Sequence, residues 1–330
     1  MKILIKISGT FPATLYGGTQ RVMWGLGKQL ALMGHKVCYL VDKVVSDCPF
    51  AELRVWNPEL PLALQVPEST DVVHLNEYYE GMETLSKPHV ITIHGNRPPE
   101  SLDSNVIFVS ENHARRYGSS SFVLNGIDWD ELPVLDLAQT RRDFHFLGKT
   151  THRSKNIYGA IDVVLRLPHQ RLHVLGGHRF YISHGIHATF SPRIRFHGMV
   201  DDAGKYACMT HSKGLVFPVT WHEPFGLAVI ESLYAGCPVF ATPYGALPEI
   251  IKDPSLGFLT TSAAAMAEHM KDLSAFSPQH CHEYAREMFS ARRMAKDYVE
   301  KYEQVLNGRP LNGHFGPRTD KYRALAWEKE

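Results

Sequence analysis

Residues 1–41, MKILIKISGTFPATLYGGTQRVMWGLGKQLALMGHKVCYLV, contain one full period of the pattern that organises most of this chain. Ile3–Ile7 and Val37–Val41 are apolar on both faces, as strands covered by helices on two sides must be. Between them Val22, Leu26, Leu30 and Met33 recur at helical spacing across Gly18–Met33. Gly34 follows where a helix end needs left-handed backbone. Strand, helix and parallel strand make a β-α-β unit, and such units build a Rossmann-type sheet.

Reading outward, Asp71–Leu75, Val90–Ile93 and Val106–Val109 continue the strand series. A second series begins at Asp143–Gly148. It runs through a helix at Asn156–Leu165, strands at Leu172–Leu175 and Ile194–Phe196, and a helix near Ala203–His211. A strand at Leu215–Phe217, a helix at Gly226–Tyr234 and a strand at Pro238–Thr242 follow. Leu132–Arg142 has no periodicity and reads as the linker. The expected organisation is therefore a Rossmann-like domain over residues 1–140 and a second over 141–306 that ends in a charged helix from about Ser277 to Leu306. A tail over 307–330 carries a short helix around Asp320–Trp327. No internal repeat of 20–50 residues is present.

The 330 residues are 44% hydrophobic and 21% charged, with a formal net charge of +1. That balance suits globular domains and gives the whole chain no electrostatic drive toward nucleic acid. No apolar run approaches the ~20 residues of a membrane span, and the N terminus reads as a strand with none of the features of a signal peptide. The cysteines Cys38, Cys48, Cys208, Cys237 and Cys281 are scattered and odd in number, which fits neither a disulfide framework nor a C-x-x-C knuckle. A cytoplasmic, reducing location is expected.

The most informative chemistry lies in Trp221-His222-Glu223-Pro224-Phe225-Gly226-Leu227-Ala228-Val229-Ile230-Glu231. A strand leads into a loop and then a helix, whose first-turn amides at Gly226 and Leu227 form an anion site. Glu223 precedes the helix, and Glu231 lies about two turns along it. A carboxylate that accepts two adjacent hydroxyls reads a sugar economically, at ~1.5–3 kcal/mol per charged hydrogen bond. On spacing alone the plainer alternative stands: Glu223 as a helix-terminal charge and Glu231 as a solvated face.

This segment resembles the E-x7-E signature of retaining glycosyltransferases of family 4, which have the GT-B fold. Further stretches fall in that family's order. Gly17-Gly18-Thr19-Gln20-Arg21-Val22 resembles its N-terminal glycine loop, Thr92-Ile93-His94-Gly95 its strand-end histidine, and Asn125-Gly126-Ile127-Asp128 its N-G-[IV]-D turn. Phe146-Leu147-Gly148-Lys149 with Lys155 resembles its G-R-x-x-x-x-K element, and Thr242–Glu249 its T-x-x-G-G-x-P-E. The resemblance runs from Lys2 to about Leu306. It implies two Rossmann-like domains facing each other across a cleft, with the acceptor on the N-terminal side and the nucleotide-sugar donor on the other.

By the same resemblance Glu223 faces the donor sugar and Glu231 the ribose, while Lys149 and Lys155, aided by Arg153, neutralise the diphosphate. His94 acts at the reacting sugar. Gly17, Gly18, Phe225, Gly226 and Leu227 approach the donor, and the backbone of His197, Gly198 and Met199 meets the base. The implied activity moves a hexosyl unit, with retention, from a nucleoside-diphosphate sugar to a hydroxyl of a saccharide or lipid-linked acceptor. It uses no metal or other cofactor, and uridine diphosphate is favoured over guanosine diphosphate. Membrane contact would be peripheral only.

Three features depart from the family. Lys149 stands where Arg is usual, giving a point charge in place of a planar fork, the second basic residue, Lys155, is displaced by one with Arg153 nearby, and Gly245-Ala246 replaces Gly-Gly. The alternative classes are a nucleotide-sugar-binding protein or an epimerase on the same fold. A dinucleotide oxidoreductase is excluded, because Ser8-Gly9-Thr10-Phe11-Pro12 does not supply G-x-G-x-x-G. Asp128-Trp129-Asp130 spells a metal-binding D-x-D, yet it follows a turn and is read as structural. His184–His187 and His280-Cys281-His282 lack second pairs at zinc-ligand spacing and are read the same way.

Overall fold

The computed structural model describes residues 1–12, 17–96, 100–182, 186–319 and 324–329. The chain forms two compact units, Met1–Trp129 with Phe289–Asp320, and Asp130–Met288 with Lys321–Glu330.

The first unit is built on β1 (Lys2–Phe11), β2 (Lys36–Val44), β3 (Ala51–Val55), β4 (Val72–Leu75), β5 (His89–Ile93) and β6 (Val106–Phe108). They form a six-stranded sheet in the order β3-β2-β1-β4-β5-β6, parallel throughout. Helix α1 (Gly18–Leu32) buries Val22, Met23, Leu26 and Leu30, the stripe that its sequence spacing predicts. It lies so close to β2 that a Cβ on Gly27 would fall 1.9 Å from the Tyr39 hydroxyl. That hydroxyl donates to Met23 O at 2.7 Å, locking helix to strand. A short helix α2 (Leu62–Gln65) lies in the crossover from β3 to β4, and α3 (Glu111–Arg116) follows β6.

The second unit repeats the scheme with β7 (Asp143–Leu147), β8 (Leu172–Leu175), β9 (Phe180–Ile182), β10 (Ile186–Ala188), β11 (Ile194–Phe196), β12 (Ser212–Phe217), β13 (Val239–Ala241) and β14 (Gly257–Leu259). Its main sheet runs β11-β8-β7-β12-β13-β14, the same winding as in the first unit, and β9 and β10 pair separately. The helices are α4 (Ile157–Leu165), α5 (Asp202–Thr210), α6 (Leu227–Tyr234), α7 (Leu247–Ile250), α8 (Ala263–His269) and α9 (Pro278–Met288).

Three expectations are corrected. The units divide at Trp129/Asp130, and Arg141 of the expected linker is docked in the second unit, donating to Ser212 O and Ala235 O at 2.8 and 2.9 Å. The single charged C-terminal helix is two helices. It breaks at Phe289-Ser290, where Phe289 O accepts from Ile127 N and Ala291 N donates to Ile127 O, both at 2.9 Å. Ser290 then caps α10 (Ala291–Leu306) by accepting from Arg293 N. Helix α10 belongs to the first unit. The expected tail helix is absent from 324–329, where Leu325 N bonds Thr220 O and Glu328 N bonds Thr261 O, both at 2.8 Å. Residues 320–323 of that expectation lie outside the described residues.

A buried polar chain ties α10 to its sheet. His74 on β4 meets Tyr302 Oη through Nδ1 at 2.7 Å and Thr92 Oγ1 through Nε2 at 2.8 Å, and Thr92 Oγ1 meets Tyr298 Oη at 2.9 Å. Among the described residues no helix is long and apolar enough to cross a membrane. All five cysteines are free, as their scatter implies.

Burial holds several histidines neutral: His74 and His113 are pushed down to about 3 and His94 to about 4, from 6.5. The unfolded chain therefore takes up protons first as pH falls, so stability is intact above about 6.5 and lost on the way to 4. Each histidine contributes up to about 1.4 kcal/mol per pH unit in that window. His89, raised by its bond to Asp103, opposes the trend singly. Scanning calorimetry should show the melting temperature of the first unit falling steadily from pH about 6.5 to 5, and a flat profile would contradict this account.

Candidate active site

In the second unit Lys149, Arg153 and Lys155 follow β7, and Glu223 follows β12. After β7, Gly148 N bonds Leu175 O at 2.9 Å, and the exposed Lys149 follows. A short turn, Arg153–Lys155, precedes Asn156, whose left-handed backbone and side chain cap α4 through Gly159 N. Asn156 also donates to Pro218 O at 2.9 Å, and Ser154 O accepts from Thr220 N at 2.9 Å, so the turn is stitched to the loop after β12. Arg153 is exposed, whereas Lys155 turns inward.

Lys155 Nζ lies 2.6 Å from Glu223 Oε2, with both side chains largely buried. The Trp221 indole donates to the same carboxylate oxygen at 2.8 Å. The ammonium sits 5.0 and 5.1 Å from the Phe217 and Trp221 ring centres, an aromatic cradle that favours a cation. The charges of Lys149 and Lys155 both reach His152, which burial first and then these two ammonium groups hold below its ordinary pKa.

Glu223 is fixed from behind. Its O accepts from Ala246 N at 2.9 Å, and it pairs with Gly245 as an isolated parallel bridge. Gly245 has φ +67°, and a Cβ there would lie 2.2 Å from Glu223 O. Phe225 is buried beside it, and Gly226, at φ 106°, starts α6 so that Leu227 heads the first turn.

Glu231 faces inward on α6. Its Oε1 accepts from Lys205 Nζ at 2.5 Å, and the same ammonium lies 2.9 Å from Asp202. Lys205, with a 7% exposed side chain, is a site residue that sequence reading missed. Its partner is 26 positions away, and a lysine near a helix start carries no signal of that. His197 is exposed just past β11, its N bonded to Val174 O at 3.0 Å. Gly198 bridges Gly177, and Met199 is exposed.

Gly17, Gly18 and His94 lie in the first unit. Gly17 O accepts from Arg21 N in the opening turn of α1, with Gly18 its first residue. His94 Nε2 meets Asn76 Oδ1 at 2.8 Å. Asn76 gives its Nδ2 to Lys6 O at 3.0 Å, so its carbonyl faces the ring. Neutral His94 therefore carries its proton on Nε2 and presents Nδ1 as an acceptor. Nearby, Lys6 is fully buried on β1 and pairs with Asp42 at 2.9 Å.

The two acids of the D-x-D have different surroundings. Asp128 is ion-paired with Lys28 at 2.9 Å, while Asp130 is exposed in the other unit. On α9, Cys281 is buried and His282 bonds Tyr234 O, both structural roles. His184 and Gly185 lie outside the described residues.

Residues 141–275 match the family described as glycosyl transferases group 1. That stretch holds Lys149, Lys155, Lys205, Glu223 and Glu231 together. The chain is 30% identical over 252 residues to a phosphatidyl-myo-inositol mannosyltransferase of Mycobacterium tuberculosis; the match covers 69% of this chain and 65% of that relative. Among solved structures, AviGT4, a glycosyltransferase involved in avilamycin A biosynthesis, has a TM-score of 0.74 at 18% identity, covering 93% of this chain and 98% of that one. Anabaena Alr3699/HepE, solved with UDP-glucose, has a TM-score of 0.66 at 16% identity, covering 92% and 100%. At those identities the likeness is one of fold. The fold is GT-B, as the sequence motifs imply.

Gly245→Ala should force Glu223 out of place, through both the left-handed backbone and the close approach. Trp221 donates to that carboxylate, so its indole reports the shift. The fluorescence component lost in Trp221→Phe should change in Gly245→Ala, and an unaltered spectrum would mean that Glu223 is held some other way.

Proposed function

We propose that the protein is a retaining glycosyltransferase that moves a hexosyl unit from a nucleoside-diphosphate sugar to a hydroxyl acceptor. The observation that carries this reading is the Lys155–Glu223 pair, buried at the strand ends and backed by Trp221. The match of residues 141–275 to glycosyl transferases group 1 supports it. A cation beside a carboxylate suits a donor that departs as an anionic diphosphate and leaves an electron-poor sugar. Lys155, with Lys149 and Arg153 at the rim, stabilises charge growing on the leaving oxygen, and the α6 amides at Gly226 and Leu227 add to it. Glu223 accepts from the hydroxyls of the transferred sugar, with Phe225 packed below. Glu231, steadied by Lys205, receives the ribose diol, and the backbone of His197, Gly198 and Met199 meets the base.

The departing phosphate oxygen takes the acceptor proton as the acceptor attacks the same face, so no protein base is required. These cations make a catalytic metal unnecessary. From the first unit, His94 offers Nδ1 to a hydroxyl of the reacting sugar, and Gly17 and Gly18 allow the donor to approach closely. The acceptor is a saccharide or lipid-linked hydroxyl, the second suggested by the name of the mannosyltransferase relative. Uridine diphosphate sugars are the first donors to test and guanosine diphosphate sugars the second.

With the right donor, Lys155→Ala should reduce turnover about 10²–10³-fold, the usual effect of losing one charge-stabilising donor. Absence of both transfer and donor hydrolysis across the panel, with nucleotide binding intact, would favour a nucleotide-sugar-binding protein.

A second outcome separates the roles within the site. Glu231→Ala should weaken nucleoside-diphosphate binding by about 1.5–3 kcal/mol in calorimetry. His94→Ala should lower turnover while leaving that affinity nearly intact, because a group touching only the reacting sugar does little for the free nucleotide. The reverse pattern would mean that the donor and acceptor roles are wrongly assigned.

A further inference from the structure

One cluster of ligating side chains has no role in the reaction above, which uses only the backbone of its member His197. His173 lies within β8, His197 just past β11, and Cys208 in α5. The sheet register pairs His173 with Arg195, so His197, two residues on, emerges from the same face one step along. One ligand atom from each of His173, His197 and Cys208 lies within 4.8 Å of the other two. The imidazoles are stacked at 12° with centroids 5.1 Å apart, and His173 Nδ1 is 2.9 Å from His197 Nε2.

Asp143 on β7 decides which nitrogen is offered. Its Oδ2 lies 3.3 Å from His173 Nε2, so that nitrogen carries the proton and leaves Nδ1, beside His197, to act as ligand. A carboxylate behind a histidine is the usual support of a metal-bound imidazole. Two nitrogens on a tetrahedral ion at ~2.0–2.1 Å stand roughly 3.3 Å apart. A separation of 2.9 Å needs only a small ring rotation to match.

We propose that His173, His197 and Cys208 form a binding site for one divalent transition-metal ion, zinc being the best fit. Two imidazoles and a thiolate select zinc over magnesium or calcium, which prefer oxygen ligands. The thiolate together with the Asp143 carboxylate balances the dication. On binding, the Cys208 thiol loses its proton to solvent. The His197 proton moves from Nε2 to Nδ1, and His173 keeps its own, so one proton leaves per metal bound. Exposed His197 leaves the fourth position open to water. The ligands come from β8, the residue that follows β11, and α5, all in one unit, on backbone already held by the sheet and α5. Bound zinc would brace the start of His197–Met199, the stretch assigned above to the base. The site itself requires no donor and stands independently of that assignment.

The test uses the full chain, stripped with a chelator and titrated first with cobalt(II) and then with zinc against a chelating dye. One equivalent should bind, with a thiolate-to-cobalt absorption band that Cys208→Ser abolishes. His197→Gln, an exposed position that leaves the fold alone, should weaken zinc at least tenfold, and Asp143→Asn about 10–100-fold. Failure to bind one equivalent overturns the proposal. So does a cobalt band that survives Cys208→Ser, or zinc affinity unchanged in His197→Gln, because the chain's other histidines would then be the ligands.

Discussion

A lysine and a glutamate taken out of water together at the end of a sheet set the terms for the second unit. Removing two charges from solvent costs several kcal/mol each, and their attraction recovers this only when geometry is tight and further hydrogen bonds are made. Lys155 and Glu223 meet both conditions, with the Trp221 indole on the carboxylate and two aromatic rings around the ammonium. The surrounding backbone is shaped to deliver the pair. Asn156 turns left-handed to start α4 directly after the lysine, and Gly245 gives up its side chain so that a second loop can press against the glutamate. A pair so confined is a source of fixed, oriented charge, which water would otherwise have to supply by reorganising.

The first unit meets the same problem differently. Its sheet also buries polar groups near the strand ends, but they are neutral rings and hydroxyls linked in chains: His74, Thr92, Tyr298 and Tyr302, and separately His94 with Asn76. Neutral partners avoid the desolvation penalty of ions and leave acceptors such as His94 Nδ1. Lys6, covered by the Trp56 and Tyr79 rings at 4.9 Å, and Arg116, which donates to Asn96, break the pattern. One winding of strands therefore supports two electrostatic characters, and residues at the strand ends choose between them.

Most strands and the longer helices were legible because buried parallel strands and one-sided helices leave periodic marks in sequence. Lys155 and Glu223 each fall within recognisable motifs, but nothing in the sequence said that they pair with one another. Features made by distant residues were not legible. Lys205 looks like a surface lysine until α5 is laid beside α6. His173, His197 and Cys208 have none of the short spacings of a zinc knuckle, because strand register and not local sequence brings them together. The break between α9 and α10 was hidden as well: Ala-Arg-Glu-Met-Phe-Ser-Ala-Arg-Arg reads as one helix, and only the bonds to Ile127 explain the interruption.

That interruption has a consequence for the order in which the molecule can be made. Helix α10 covers the first sheet and supplies two tyrosines of its buried polar chain, yet it lies some two hundred residues downstream of the strands it completes. On a ribosome the first unit emerges early but lacks this layer until nearly all of the second has been translated, whereas the strands and helices of the second unit follow one another without such a gap. The half of the protein synthesised first therefore waits for most of the chain before its sheet is covered, and that incomplete sheet is the surface a nascent chain must keep from its neighbours.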